Sequence, residues 1–504
     1  MEFLKKISLL STLFMTTLLA SAQSYVEIVE KASNTEISGT ARIQAMGGAQ
    51  TSLGADISSG FSNPAGIGFY NNKSFAVTAG LNFVNAKSDF YNNRNSESDF
   101  RFNTPALGII FQNDGKDNSI IKSKGFGLTI TNTSYFDNSI RYNASNPSQD
   151  FSSDFFDYIY SLYDANNFNP DFPSNLPEQA YNAFLVEEDA LGLYYIEGDD
   201  YPPLPNAIDY SKDIEGGNSA LNVAYGININ DRVYLGAGLN LHFYDYTVET
   251  FYSEFRNNAA LERMNYLQYV DVSAAGVSGT FGIIARPLNQ LTVGLSYQTR
   301  TSYRATDYAE VVVEGIFNNY EYETTDGSIF LNNESSLVRY ESEYSFTTPG
   351  KLRLGATYLF GKRGLVSFDA EHVNYSGMKL RNGTGIDFSG DNQFIDDNYD
   401  NVWNYRVGAE FRLTKLFYLR GGYATYACPK NLNGDKFIYS GGVGFRTKNG
   451  LFFDLTYLYK TESDIQDSPF TIAEPYSSDI QAFAPSANIK QQASSVLFTF
   501  GKSF

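Results

Sequence analysis

The 504-residue chain has little of what enzymes and disulfide scaffolds are built from. Its one cysteine, Cys428, cannot make an intramolecular disulfide, so the fold needs none. Two histidines, His242 and His372, stand far apart with no paired-His or Cys-cluster spacing that would hold a metal. No P-loop is present. His372 follows Glu371, but neighbouring residues on a strand face opposite ways, so the two form no catalytic dyad. No catalytic residue, metal or cofactor is therefore expected, and the chain does not read as an enzyme. Past its first residues no stretch stays apolar for 18 positions, which argues against a transmembrane helix. Positive charge is also scarce. With 37 Lys and Arg against 56 Asp and Glu the net charge is −19, and such a chain repels nucleic acid.

What is present points to export and to a membrane. Lys5 and Lys6 precede an apolar run from Ile7 to Leu19, and Ala20-Ser21-Ala22 fits small-x-small cleavage. Residues 1–22 are expected to be a signal peptide cut after Ala22, leaving a chain that starts at Gln23. The mean hydropathy of −0.29 looks soluble, as a membrane barrel with a polar lumen also would. Aromatics reach 16%, with 38 Tyr and 40 Phe but one Trp, which suits aromatic girdles at two interfaces.

The central pattern is alternation over about ten residues. Phe75, Val77, Ala79, Leu81 and Phe83 share one face, opposite Ala76, Thr78, Gly80 and Asn82. Leu352 to Phe360 and Trp403 to Leu413 repeat it. Period two means strands, and nine to eleven tilted residues cross a bilayer. Fourteen segments qualify: 74–86, 105–113, 124–136, 218–230, 232–249, 271–286, 290–305, 351–361, 364–376, 402–413, 416–427, 437–447, 450–461 and 490–504. Their connections alternate short and long, the long ones including 137–217, 306–350, 377–401 and 462–489. Outer-membrane barrels have short periplasmic turns and long outer loops, so 74–504 is expected to be an all-β, 14-stranded antiparallel transmembrane barrel with both termini in the periplasm. Asp307 to Phe317 and Ser336 to Phe346 also look strand-like. They fit a hairpin continuing strands seven and eight above the membrane, or two more staves of a 16-stranded barrel.

Residues 23–73 do not alternate and suit a small plug, or hatch, in the lumen. Val26, Val29 and Ala32 suggest a short helix, Gly47-Gly48 permits positive φ, and Asn63-Pro64 ends any helix. The series Met46-Gly47-Gly48-Ala49, Asp56, Asn63-Pro64-Ala65 resembles the plug of FadL/TodX outer-membrane transporters. Thr348-Pro349, then Leu354-Gly355-Ala356-Thr357-Tyr358, then Phe368-Asp369, resembles the C-terminal half of the same family. That resemblance implies passive uptake of hydrophobic small molecules such as long-chain fatty acids. Ligand would be caught at an outer groove, pass to a lumen pocket and leave sideways through the wall. A sister branch resembling the PorV proteins shares the Asn-Pro-Ala motif, so a scaffold or shuttle of a secretion system is the alternative, with a secretion-system partner.

Several residues are candidates on chemistry alone. Phe151, Phe155, Ile159 and Leu162 recur at helical spacing in the first long loop, with Phe156 between them, and could line a ligand groove or form that loop's core. Asn175 with Glu178 is a candidate capping box opening a helix through Ala180, Ala183 and Phe184. Arg353, Arg406, Arg420 and Arg446 fall in the lumen phase and could meet a carboxylate head group or pair with lumen acids. The terminal run Val496, Phe498, Phe500 to Phe504 resembles the signal read by barrel-assembly machinery. The expected location is the bacterial outer membrane, with its lipid as solvent.

Overall fold

The computed structural model describes residues 25–504 apart from 35, 92, 116–118, 146–154, 157, 160–175, 190–191, 197–204, 258, 325–326, 382, 384–385, 431–434, 462–464 and 469–486. The signal-peptide segment, Phe151, Leu162 and Asn175 lie outside the described residues.

In lipid every backbone N–H and C=O must be satisfied within the chain, and a closed ring of strands does this without edges. The ring runs β1 Ser74–Phe90, β2 Asn93–Asp114, β3 Ile121–Tyr135, β4 Ala207–Ile229, β5 Val233–Phe255, β6 Leu261–Leu288 and β7 Leu291–Gln298. It continues β8 Lys351–Leu359, β9 Gly364–Asn374, β10 Asn401–Arg412, β11 Phe417–Tyr426, β12 Lys436–Arg446, β13 Leu451–Thr461 and β14 Ala487–Ser503. Neighbours pair antiparallel, and β14 closes on β1 from Ser74↔Ser503 to Asp89↔Asn488. Each of the fourteen expected segments falls on a stave, the seventh ending at Gln298 rather than at 305.

The doubtful pair adds no staves. Ser302–Thr324 and Gly327–Thr347 form a hairpin stacked on β7 and β8, separated from them by Thr299–Thr301 and Thr348–Gly350. The 28-residue β6 makes this possible: its C-terminal part pairs with β7 and its N-terminal part with Ser302–Phe317. The 14-strand count stands.

One long connection expected as a loop carries strand at both ends. β4 begins at Ala207, not near 218, and pairs there with a short strand Asn138–Ser145; the 306–350 stretch is the hairpin that Asp307 to Phe317 and Ser336 to Phe346 suggested. The physical reason is an inversion of polarity along single strands. On β5, Leu235, Leu239, Leu241 and Phe243 face outward and are exposed, while Asn240 and His242 face inward. One step further the sides exchange character. Asp245 and Glu249 are outside, and Tyr244, Tyr246, Val248 and Tyr252 are buried inside. On β6, Phe281 and Ile283 are exposed below, while Val270 and Val272 are buried above. The inversion marks where the wall leaves lipid for water, and with it the apolar-outside rule ends.

The lumen is filled in layers. At the short-turn end and middle lie α2 (Ala41–Ala45), α3 (Ser59–Ser62) and a 3-10 turn Pro64–Phe69. Above them α1 (Tyr25–Ser33) buries Val26, Ile28, Val29 and Ala32 against Tyr244, Val272, Tyr303 and Phe346. The first described helix thus sits toward the long-loop end, which corrects the expectation that the N-terminus lies on the short-turn side. Its apolar face packs on a section of lumen whose walls are apolar. A cap core above joins the loop helix α4 (Leu176–Asn182) to Tyr210, Tyr252, Met264 and Val313. A last helix, α5 (Ser389–Asn398), packs with α1 through Phe388 and Ile395.

Candidate functional site: plug, lumen and wall window

The plug motif meets the wall through backbone. Gly47 and Gly48 have φ of +65° and +76°, a left-handed turn that an L side chain strains to adopt. The turn lies against β10 and β11 so closely that a Cβ on Gly422 would stand 2.1 Å from the Gly47 nitrogen. Gly47 N–H donates to Ser440 Oγ at 3.1 Å, and that hydroxyl donates to the Ala45 carbonyl at 3.0 Å. Asp56 ties the plug to itself, accepting from Thr40 Oγ1 at 2.8 Å and from Ser58 N and Oγ at 3.0 and 2.8 Å.

Asn63 does three jobs. Its Oδ1 accepts from Ala65 N (3.1 Å), capping the turn that Pro64 opens, and its Nδ2 donates to the Thr51 carbonyl at 2.6 Å. The same side chain presses on β6, where a Cβ on Gly282 would stand 1.8 Å from Oδ1. Gly294 on β7 similarly admits the Thr51 carbonyl. Sequence reasoning missed this belt of lumen-facing wall glycines. The signal was there, as glycine in the inward phase of otherwise regular strands.

One side of the lumen is an ion-pair ladder. Glu371 on β9 accepts from Arg353 Nε (2.6 Å) and Arg406 Nη2 (2.7 Å). Glu410 holds Arg420 at 2.7 Å and the plug's Arg42 at 3.0 Å, and Asp454 holds Arg420 and Arg446 at 2.7 and 3.1 Å. All four candidate arginines face the lumen, and each is already in an ion pair. Asp369 latches the plug, accepting from Gln50 N, Thr51 N and Thr51 Oγ1 at 2.7–2.8 Å. Opposite lies a neutral network: Asn222 to Asn240 (2.7 Å), Asn240 to Thr280 (2.9 Å), and His242 Nε2 with Ser278 Oγ (2.9 Å). The His372 ring faces outward beside Trp403, 4.9 Å away.

The described groove candidates lie in a packed core. Phe155, Phe156 and Ile159 are fully buried in the cap, as is Tyr158 nearly so. Glu254 pins this helical piece by accepting from Phe155 N at 3.0 Å, while Arg256 pairs with Glu254 and lies 5.2 Å from the Phe156 ring. The helix expected after Asn175 is α4, which takes in Ala180 and ends at Asn182, short of Ala183 and Phe184.

The wall itself has a window. β2 and β3 are hydrogen-bonded only from Asp114↔Ser123 to Ala106↔Thr131. Beyond that rung the β2 ladder of Asn93 to Asn103 is with β1, and Asn132–Tyr135 lean on β4. Pro105 stands at the parting and has no N–H to donate. Side chains bridge higher up, Ser88 Oγ to the Arg141 carbonyl at 2.6 Å and Arg101 to Glu215 at 2.7 Å. From inside, Glu36 N–H donates to the freed Thr133 carbonyl at 3.0 Å. Asn103 Oδ1, Thr131 Oγ1 and Ser134 Oγ around the opening are buried without a partner.

Comparison with known proteins agrees with this architecture. The family described as outer membrane protein transport protein (OMPP1/FadL/TodX) matches residues 208–500. A FadL homologue of Pseudomonas aeruginosa is similar in structure at 12% identity, covering 93% of this chain and 99% of its own, with TM-score 0.56. The toluene transporter TodX of P. putida is similar at 11% identity, with 93% and 99% coverage and TM-score 0.54. No curated protein sequence matches the chain.

Proposed function

The chain belongs to the OMPP1/FadL/TodX family of outer membrane transport proteins, and on that premise we propose that it passively admits hydrophobic small molecules, with long-chain fatty acids as the class to test first. The observation that carries this reading is the apolar upper lumen. A water-filled channel keeps polar walls throughout, whereas here Tyr244, Val248, Val272, Tyr303 and Phe346 line the section where α1 sits. A greasy molecule gains there what α1 gains, burial of apolar surface at about 25 cal/mol per Å². Long loops outward, the ligand arrives through the cap, whose Phe155, Phe156 and Ile159 must part to receive it. An acid head group would compete for the arginines of the ladder, of which Arg353 Nη1, Arg420 Nη2 and Arg446 Nη1 are buried without a partner. The window between β2 and β3 offers a sideways exit into lipid, so the ligand need not pass the plug. No energy-coupling segment is evident in the sequence, and the ligand's own gradient supplies the drive.

The test is native mass spectrometry of the barrel purified in mild detergent from its own membrane, with uptake assays in a deletion strain. A co-purifying fatty acid or other apolar compound, lost in the Phe155→Ser/Phe156→Ser variant, supports the reading. Closing the window with a short thiol cross-linker between Asn103→Cys and Thr133→Cys, on a Cys428→Ser background, is expected to block uptake while binding persists. A barrel with no such ligand, and unchanged uptake in the deletion strain, would sink it. A stoichiometric protein partner instead would move the reading to the secretion-scaffold alternative, which the family match does not favour.

A further inference from the structure

The charge of this acidic chain is distributed unevenly. Each of the six short turns, and both strand ends beside them, carries Lys or Arg: Lys73, Lys122 and Lys124, Arg232, Arg286, Lys362 and Arg363, Arg412 and Lys415, Lys448, and Lys502. The described acids on the same rim are Asp114 and Asp231, and both are engaged locally, Asp114 by Gln112 Nε2 at 2.6 Å and Asp231 by Asn228 Nδ2 at 2.7 Å. In a chain of net −19 this rim is a band of the opposite sign. Among the described residues, none of the exposed rim cations Lys122, Lys124, Lys362, Lys415, Lys448 and Lys502 is in an ion pair, although elsewhere in the fold lysines and arginines commonly are. Cations left without acids in so acidic a chain imply an anionic counterpart outside it.

Their depth says what that counterpart is. Lys122 and Lys124 lie in phase with Phe126 and Leu128, which are exposed to the lipid side, and Lys502 lies in phase with Phe498. Lys362 and Lys415 adjoin Phe360 and Phe417, likewise exposed. A ring of aromatics marks the edge of the hydrocarbon layer. Cations one or two residues beyond it, on stems long enough to lie along the wall, reach the depth of lipid phosphates. The cations encircle the barrel rather than gather at one patch, as contact with a surrounding leaflet requires and docking of a single protein does not.

We propose that this rim is a cationic collar that binds the phosphate head groups of anionic phospholipids in the leaflet at the short-turn end. The collar fixes the barrel's height in the bilayer and enriches its first lipid shell in anionic species. It acts independently of what the lumen carries.

The test uses the full-length barrel in nanodiscs of phosphatidylglycerol and phosphatidylcholine. The readout is the composition of lipids retained by the protein on release into the gas phase, at low and at 0.5 M salt. The wild type is expected to retain phosphatidylglycerol severalfold above its share, with the excess falling at high salt because exposed charges are screened. The variant Lys122→Gln/Lys124→Gln/Lys362→Gln/Lys415→Gln is expected to lose most of the excess, and the same four positions as Arg to keep it. Heat-modifiable migration on gels establishes that each variant is folded. Equal retention by wild type and the Gln variant overturns the proposal. So does an unchanged lipid shell in a Gln variant that has shed a co-purifying acidic protein, because the collar would then be a protein-docking surface. Loss of hydrophobic ligand binding plays no part in either outcome, so failure of the transport reading and failure of this one are distinguishable.

Discussion

A single methyl group separates two glycines that are neighbours in sequence. A Cβ on Gly422 would meet the Gly47 nitrogen at 2.1 Å, whereas one on Gly421 would meet only the Ser440 carbonyl at 3.9 Å. Gly422→Ala is expected to cost about 1–3 kcal/mol of plug docking, the usual range for overpacking. Gly421→Ala should be near neutral. Protease sensitivity of the plug in the folded barrel is the check, and equal sensitivity of the two variants would contradict the close-packed interface. Glu371 offers a second test. It serves Arg353, Arg406 and, at 3.2 Å, Asn404 Nδ2. Glu371→Gln leaves two buried guanidinium groups without their acid and is expected to destabilise the barrel by about 3–5 kcal/mol in denaturant titration. If these arginines also meet ligand head groups, a fatty acid should restore part of that loss and an uncharged alkane should not.

At the scale of elements, α5 carries a pH dependence. Burial, and secondarily Asp387, pushes the Asp391 carboxyl up from 3.8 to about 6. The folded state therefore holds the proton more tightly than the unfolded one. Stability of this helix is greatest below about pH 4, falls as pH rises toward 6, and is flat above. Asp391→Asn should remove the slope and stabilise α5 at neutral pH by roughly 1 kcal/mol, discounted for partial exposure. Hydrogen exchange of 389–398 at pH 4.5 and pH 7.5 reads this directly; an unchanged slope in the variant would assign it elsewhere. The cap is the other element with a clear expectation. Phe156→Ala empties a fully buried site and should cost about 3–5 kcal/mol. Because the cap core packs on the outer ends of the strands, beyond their membrane-spanning part, cleavage should appear in residues 137–217 while the barrel still migrates as folded.

For the whole molecule, ring and filling are separable. The ring's hydrogen bonds close through β14 and β1 without the N-terminal residues. Excising residues 25–73 is expected to leave a folded barrel and to open its lumen to water, where the charged ladder would then stand exposed. Planar-bilayer recordings should show a clear rise in conductance over the intact chain. A closed, non-conducting deletion variant would mean that the cap alone seals the barrel.

The sequence by itself determined the ring. Lipid imposes a strict side-to-side contrast on every spanning residue, so the fourteen staves, the short turns and the Gly-Gly and Asn-Pro features of the plug could be read locally, from Phe75 to Phe83 or from Trp403 to Leu413. That contrast reverses above the membrane, and from Tyr244 onward the same alternation no longer tells wall from loop. Where α1 lodges, which acid each arginine meets, whether Phe155 and Phe156 line a groove or a core, and where β2 parts from β3 were decided only by the tertiary structure. These are contacts between residues hundreds of positions apart, such as Thr51 with Asp369 or Ala41 with Thr499, and no local pattern specifies them.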